Sequence, residues 1–341
     1  MSSEHDVEEI LNAGWDALDE GDLAGARRQV ARLGKDDPDT LVLLAAIARD
    51  EDDPASAKQH LLAAIAADGE WAAPELALAE LLAADPEALA EAHRHASRAA
   101  ELADEEPEFL SALALKAGLE AERGDADAAR KTLAELPPAE TRLGDAGAAL
   151  DIADLHLVLG DTALARDRLR TLTAAEPDFA EAWHALGGAA GELGDEAEMR
   201  AAWKRTWELD AAAGADGGVE RALEESEVAS VAEAALAELP ARAQQLIAGV
   251  PIVIAERPAE VDVDAGIDPR ALGLFSGTAY PDGSHLGGQP GLTQILLFRR
   301  NLEHVAADAD ELREEIRATL LHETGHFFGL DDGTLEDLGL G

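Results

Sequence analysis

The segment from His322 to Asp332 reads HETGHFFGLDD. On a helix advancing about 100° per residue, His322 and His326 share one face one turn apart, and Glu323 lies between that face and the next. Two imidazoles so placed can hold a single metal ion. A zinc ion that keeps its fourth position open to water needs a third protein ligand. Gly329 can adopt a positive φ and turn the chain back just past the helix, which brings Asp332 within reach of the same ion. Asp331, Glu336 and Asp337 compete for that role. Asp331 is one residue off and points differently, and the other two lie further along the tail. Asp332 is favoured because its spacing is that of the third ligand in the extended motif HExxHxxGxxD. A glutamate on a separate downstream helix has no room in the short tail after Asp332. Histidines on a helix are often ordinary packing or surface residues, but the full register of His, Glu, His, Gly and Asp weighs against that here.

Several elements must hold this segment in place. The stretch DADELREEIRATLLHETGHFF predicts one long helix beginning near Asp308 or Asp310, either of which can cap it. Leu312, Ile316, Leu320 and Phe327 form an apolar stripe on one side of it, with Leu321 and Phe328 on the other, so the helix is expected to be buried on two sides. Upstream, an amphipathic helix is expected from about Val228 to Leu239. A buried strand is expected around Ile252, Val253 and Ile254, and a second strand from Thr293 to Arg300. Between the strands, Leu272 to Gly291 is rich in glycine and reads as a long functional loop.

The first 210 residues differ in character, being mostly Ala, Leu, Glu and Arg interrupted at intervals by Gly-Asp or Asp-Pro. Gly124, Gly160 and Gly194 are spaced by 36 and 34 residues, and Gly21 opens the same pattern. Ala26, Ala129 and Ala165 follow their glycines at one fixed offset, and Pro38 and Pro177 follow at another. The expectation is a glycine ending each first helix, a small alanine letting the second pack closely, and a proline stopping it. With Trp183 to Gly187 reading WHALG, the pattern resembles the tetratricopeptide repeat, strongly over residues 147–210, well over 7–40 and in degenerate form between about 41 and 110. Asp53-Pro54 and Asp85-Pro86 stand there in place of the Gly-Asp turns. The resemblance implies an α-helical solenoid whose concave face can hold a peptide or a protein partner. The Gly-rich segment from Asp210 to Glu220 reads as a linker, which divides the chain into a repeat domain at 1–216 and a second domain at 217–341. His5, His60, His93, His95, His156 and His184 fall in the repeat half, where solvated or packing roles are expected; His93 and His95 point to different faces.

Composition narrows the partners. Acidic residues number 71 against 27 basic ones, giving a net charge of -44. Such a chain repels nucleic acid and anionic membranes, whose binding depends on basic contacts. Cysteine is absent, so thiolate ligands, disulfides and a cysteine nucleophile are excluded and any metal must be held by His and carboxylates. No apolar run reaches the length of a membrane span and the N-terminus lacks a signal-like segment, so a cytoplasmic location is expected.

The second domain as a whole resembles the bacterial minimal zincin-like metallopeptidase family. The matching stretches are LPARAQQLIAGVPIVIAERP, LGLFSG, ILLFRRNLEHVAADADELREEIRATLLHETGHFFGLDD and LEDLGL. The resemblance implies a small α+β zincin-like domain with one zinc ion on His322, His326 and Asp332, and Glu323 as catalytic base. Peptide bonds would then be hydrolysed through a metal-bound water in a peptide or unfolded protein substrate. The chain departs from the family at Phe275, where the family has tyrosine, and from the related metzincins in having no methionine after the site. Tyr280, His285 and Arg299 are candidates for stabilising an oxyanion or contacting substrate. The strand from Ile295 to Phe298 is expected to align substrate by backbone pairing. The competing expectation is an adaptor, in which the repeats bind a partner and a metal-stabilised zincin domain turns over little.

Overall fold

The computed structural model describes every residue except 1–3, 35–36, 217–222, 278–292, 332 and 335–341. Its contacts form two compact units, Met1–Pro177 and Asp178–Gly341.

The first unit is built of antiparallel helix pairs. They are α1 (Glu4–Asp19) with α2 (Leu23–Val30), α3 (Pro38–Asp50) with α4 (Pro54–Ala67), and α5 (Ala72–Ala83) with α6 (Leu89–Leu102). The last two are α7 (Glu106–Glu122) with α8 (Ala126–Leu133), and α9 (Ala146–Val158) with α10 (Thr162–Ala175). The Gly-Asp signal works as local chemistry. Gly21, Gly124 and Gly160 have φ of +74°, +80° and +77°, a left-handed conformation that costs glycine no Cβ clash. The following aspartates donate their backbone N–H to Ala17 O, Glu120 O and His156 O, closing the end of each first helix. Asp22 and Asp125 then cap the next helix by accepting from Gly25 N and Ala128 N. Ala26, Ala129 and Ala165 are fully buried, as close helix packing requires. Pro38 has a different role from the one expected: it does not stop α2, which ends at Val30, but occupies the first turn of α3 behind the cap Asp37.

The weak middle repeat uses the same turn with a different residue. Asp52 takes φ of +58°, and Asp53 donates to Ala48 O and caps α4 through Ser56 N. A left-handed aspartate is strained relative to glycine. Asp52→Gly is therefore expected to raise stability by roughly 0.5–1 kcal/mol, seen as a higher urea midpoint at unchanged slope.

His93 and His95 do diverge, His93 Nε2 meeting Glu120 Oε1 of α7 at 2.9 Å and His95 Nδ1 meeting Glu75 Oε2 of α5 at 2.5 Å. His156 is 3% exposed and both its ring nitrogens lack a hydrogen-bond partner among the described residues. Burial, and then the charge of Arg168, pull its pKa from 6.5 down to about 4. The folded state thus binds a proton less readily than the unfolded chain. The stability this group contributes is full above pH 6.5 and drains away as pH falls toward 4. Relative to His156→Leu, the native chain is expected to lose of order 2 kcal/mol across that window. The comparison is needed because neutralising so many carboxylates acts on both proteins alike. Parallel urea titrations at the two ends of the window give the difference directly.

The second unit begins with another helix pair, α11 (Ala180–Glu192) and α12 (Glu196–Asp216). It continues through α13 (Glu225–Glu238), α14 (Ala241–Ile247), β1 (Ile252–Ala255), α15 (Glu260–Asp264), β2 (Gly273–Ser276), β3 (Gln294–Phe298), α16 (Arg299–Val305) and α17 (Ala309–Phe327). The pair α11–α12 has the repeat's turn, with Gly194 at φ +77°, and packs so closely that a Cβ on Gly187 would fall 2.1 Å from the Trp203 ring. Its contacts run to the residues that follow it. Trp207 Nε1 donates to Pro258 O at 2.9 Å, Arg257 donates to Trp207 O and stacks 4.1 Å over its ring, and Arg270 holds Asp210 with two bonds of 2.9 Å. His184 pairs with Asp268, and Lys204 with Glu260 and Asp264. The contact division therefore falls one helix pair ahead of the expected 216/217 boundary.

The sheet has the order β1-β3-β2, with β1 parallel and β2 antiparallel to β3. Three expectations change. β1 is not a buried strand, since Val253 is 38% exposed. The glycine-rich stretch is not wholly loop, because Gly273–Ser276 pairs with β3 in the register Gly273↔Leu297. Finally, β3 is the central strand, so both its edges are taken and Ile295 to Phe298 cannot pair with substrate. The helix α17 matches its expected pattern: Asp308 caps it through Asp310 N and Glu311 N, and Leu312, Ile316, Leu320 and Phe327 are all buried against α13 and β3. No helix among the described residues is long and apolar enough to cross a membrane.

Candidate metal centre

The last turns of α17 carry the histidines, and its two apolar flanks fix the face they present. His322 Nε2 and His326 Nε2 meet at 3.0 Å, with the rings 84° apart in plane. Two nitrogens that close cannot both carry a proton, so at least one directs a lone pair into the shared space.

The turn after the helix orients the second histidine. Gly329 has φ +78°, its N–H reaches His326 O at 2.9 Å, and Leu330 N reaches Gly325 O at 3.1 Å. This is a glycine-dependent helix stop, as the sequence predicts. It also does something the motif does not reveal: the Leu330 carbonyl accepts from His326 Nδ1 at 3.0 Å. With the proton on Nδ1, Nε2 carries the ring's lone pair on the side that faces His322. Gly329→Ala is expected to strain this turn, release the Leu330 contact and weaken zinc affinity by about tenfold or more, measured by competition with a chromogenic chelator.

Glu323 is 8% exposed, and its Oε2 accepts from Phe275 N at 2.6 Å. In the β2–β3 register Phe298 N bonds Leu272 O, so Leu272, Leu274 and Ser276 face β3 while the N–H of Phe275 points to the outer edge. The motif's carboxylate therefore pins the free edge of β2. Their close approach depends on Gly273, where a Cβ would lie 2.7 Å from Thr319 Cγ2 and 3.0 Å from Glu323 Cγ. Phe275 packs its ring edge-on against Phe327 at 6.0 Å, so the position that departs from the family pattern serves as core.

The remaining candidates fare differently. Asp331 accepts from Thr334, and those bonds from the Thr334 side chain and backbone hold its carboxyl below the usual range. That engagement anchors a turn. Arg299 is buried, donating to Glu303 Oε1 at 2.8 Å and to the Leu223 carbonyl, a structural use of the guanidinium. Asp332, Tyr280, His285, Glu336 and Asp337 lie outside the described residues. Among the described residues no group of three or more His, Cys, Asp or Glu side chains is gathered for a metal. The two imidazoles fit a zinc ion by donor type and by the convergence of their Nε2 atoms.

Residues 247–341 match the profile of the family described as Zincin-like metallopeptidase. The C-terminal segment is zincin-like. TPR-like helix pairs precede it, and solved structures similar to the chain include repeat proteins of this kind. PilF of Pseudomonas aeruginosa is 17% identical, with 60% of this chain and 91% of that one covered at a TM-score of 0.47. PilW, a type IV pilus biogenesis factor, is 15% identical over 63% and 94% at 0.45. YrrB, a TPR protein with an unusual peptide-binding site, is 14% identical over 52% and 88% at 0.38. Scores this low carry no argument about function. No curated protein matches the chain.

Proposed function

We propose that the chain is a zinc-dependent peptidase of the cytoplasm, with its helix pairs capturing a peptide, an unfolded protein or a protein partner. The observation that supports this best is the meeting of the His322 and His326 Nε2 atoms on a helix whose end is shaped to orient His326. His322, His326 and Asp332 would hold the ion, which when bound supplies Lewis acidity toward water and a peptide carbonyl. Glu323 is the base. Its carboxylate takes a proton from the attacking water and returns it to the leaving amine, and the Phe275 N–H keeps it in one rotamer meanwhile. Glu323 is itself buried, so little of its carboxylate meets bulk water.

Metal analysis of the purified chain is expected to find about one zinc per molecule, with cleavage of an unfolded casein. His322→Ala and His326→Ala are expected to lose metal and cleavage together. A native chain that takes up no zinc would sink the reading. A second reading, an adaptor with a metal-stabilised but nearly silent site, draws support from the engagement of Glu323 by a backbone N–H. Full zinc occupancy without Glu323-dependent cleavage of any substrate would favour it.

A further inference from the structure

A cavity of about 330 Å³ opens on the first unit. Its wall comes from the first helix of four successive pairs: Trp15 of α1, Asp39 and Val42 of α3, Trp71 and Glu80 at and within α5, and Glu108 of α7. Both tryptophans are half-buried, and neither indole N–H has a hydrogen-bond partner among the described residues, whereas Trp203 and Trp207 each donate to a carbonyl. None of the three carboxylates forms an ion pair among the described residues. Loss of solvent raises the Asp39 carboxyl above its usual range, with Asp37 and Asp68 adding to it. Loss of solvent raises Glu80 too, against an opposing pull from Arg49.

This combination selects its occupant. Partly buried carboxylates that form no ion pair among the described residues call for a cation, and indole faces favour one that is planar and weakly hydrated. A guanidinium meets both needs, because it can stack on an indole while its fork reaches a carboxylate. Val42 and the hydrocarbon of the tryptophans suit apolar neighbours on the same strand of chain. A second copy of this protein, at a net charge of -44, would be repelled, as would nucleic acid or an anionic membrane.

We propose that this groove binds an extended polypeptide segment carrying arginine beside apolar residues, with the guanidinium set against Trp15 and Trp71 and neutralised by Asp39, Glu80 and Glu108. The proposal rests on the reading of the helix pairs as a peptide-capturing array and names the chemistry that array selects. It does not depend on zinc.

The test uses the full-length chain carrying Glu323→Gln, so that no bound peptide is cut, and a fluorescein-labelled peptide of alternating arginine and leucine. Anisotropy is read at about 0.15 M salt, where attraction from distant charges is screened. Saturable binding is expected, tighter than for the same peptide with lysine for arginine and absent with glutamate. Trp71→Ala, and separately the triple Asp39→Asn, Glu80→Gln, Glu108→Gln, should each weaken binding by about tenfold or more. A control triple at exposed carboxylates outside the groove, Glu20→Gln, Glu122→Gln and Glu135→Gln, should change it by under about twofold. Trp71→Phe keeps an aromatic face at lower cost to the fold and is expected to fall between the native groove and Trp71→Ala. Equal losses from the two triples would show attraction to the overall charge and overturn the proposal, as would unchanged binding in both Trp71 variants. Because the readout is binding alone, its failure leaves the zinc reading standing. Failure of zinc uptake, in turn, leaves the groove standing.

Discussion

Glu323→Gln is expected to retain zinc and the native melting temperature while lowering casein cleavage by about 10³-fold. The sequence alone suggests alanine as the substitution, since it removes the carboxylate. The structure gives a reason to prefer glutamine. Glu323 Oε2 accepts from the outward N–H of Phe275, and a glutamine side-chain oxygen can accept that bond in the same place while lacking the basicity to take a proton. Alanine would leave the Phe275 N–H without its partner beside Gly273, where helix and strand lie too close to admit a Cβ, at a cost of about 1–3 kcal/mol. The pair of variants thus separates chemistry from scaffold. Glutamine reports the base; the further drop in melting temperature with alanine reports the pin on β2. Cleavage by the glutamine variant at the native rate would remove Glu323 from the mechanism.

A fragment of residues 178–341 is expected to fold cooperatively, and one of residues 217–341 to be less stable by about 3 kcal/mol or more. The reason lies in what α11 and α12 hold. Removing them strips Arg270 of Asp210, the Pro258 carbonyl of the Trp207 indole, Arg257 of the ring it stacks on, and Asp268 of His184. Arg270 is 21% exposed in its side chain with α11 and α12 in place, and its charge would lose the carboxylate it holds there with two bonds. The surface pairs of Lys204 add little, being open to solvent. Chemical denaturation of the two fragments, followed by far-ultraviolet circular dichroism, measures the difference. Equal midpoints would place the domain boundary at 216/217, as the linker composition suggests. If both fragments are active on a short peptide, the helix pairs before residue 178 act on capture of the protein substrate and not on the chemistry.

Much of this architecture was legible in the residues because it is local. A helix repeats every few residues, so HExxH, the stripe of Leu312, Ile316, Leu320 and Phe327, the cap at Asp308 and the Gly329 stop follow from spacing within one segment. The Gly-Asp turns belong to the same class: a left-handed residue and a capping carboxylate act within one turn, which is why Asp52 could replace glycine and hide the repeat without breaking it. Strands carry no such internal record. Ser276 and Gln294 pair across a stretch that composition marks only as glycine-rich, and nothing in ILLFRR says that its strand is central with both edges occupied. The same holds for the contacts that give the site its character. Phe275 meets Glu323 from 48 positions away, and the groove joins Trp15, Trp71 and Glu108 through the stacking of separate helix pairs. The sequence by itself determined which residues can ligate, turn and cap, because those properties depend on backbone geometry over a few residues. Only the tertiary structure decided which strand edge Glu323 holds, that the contacts of α11 and α12 run to the residues after them and which of the described carboxylates form no ion pair, because those depend on burial and on partners that the chain brings together from far apart.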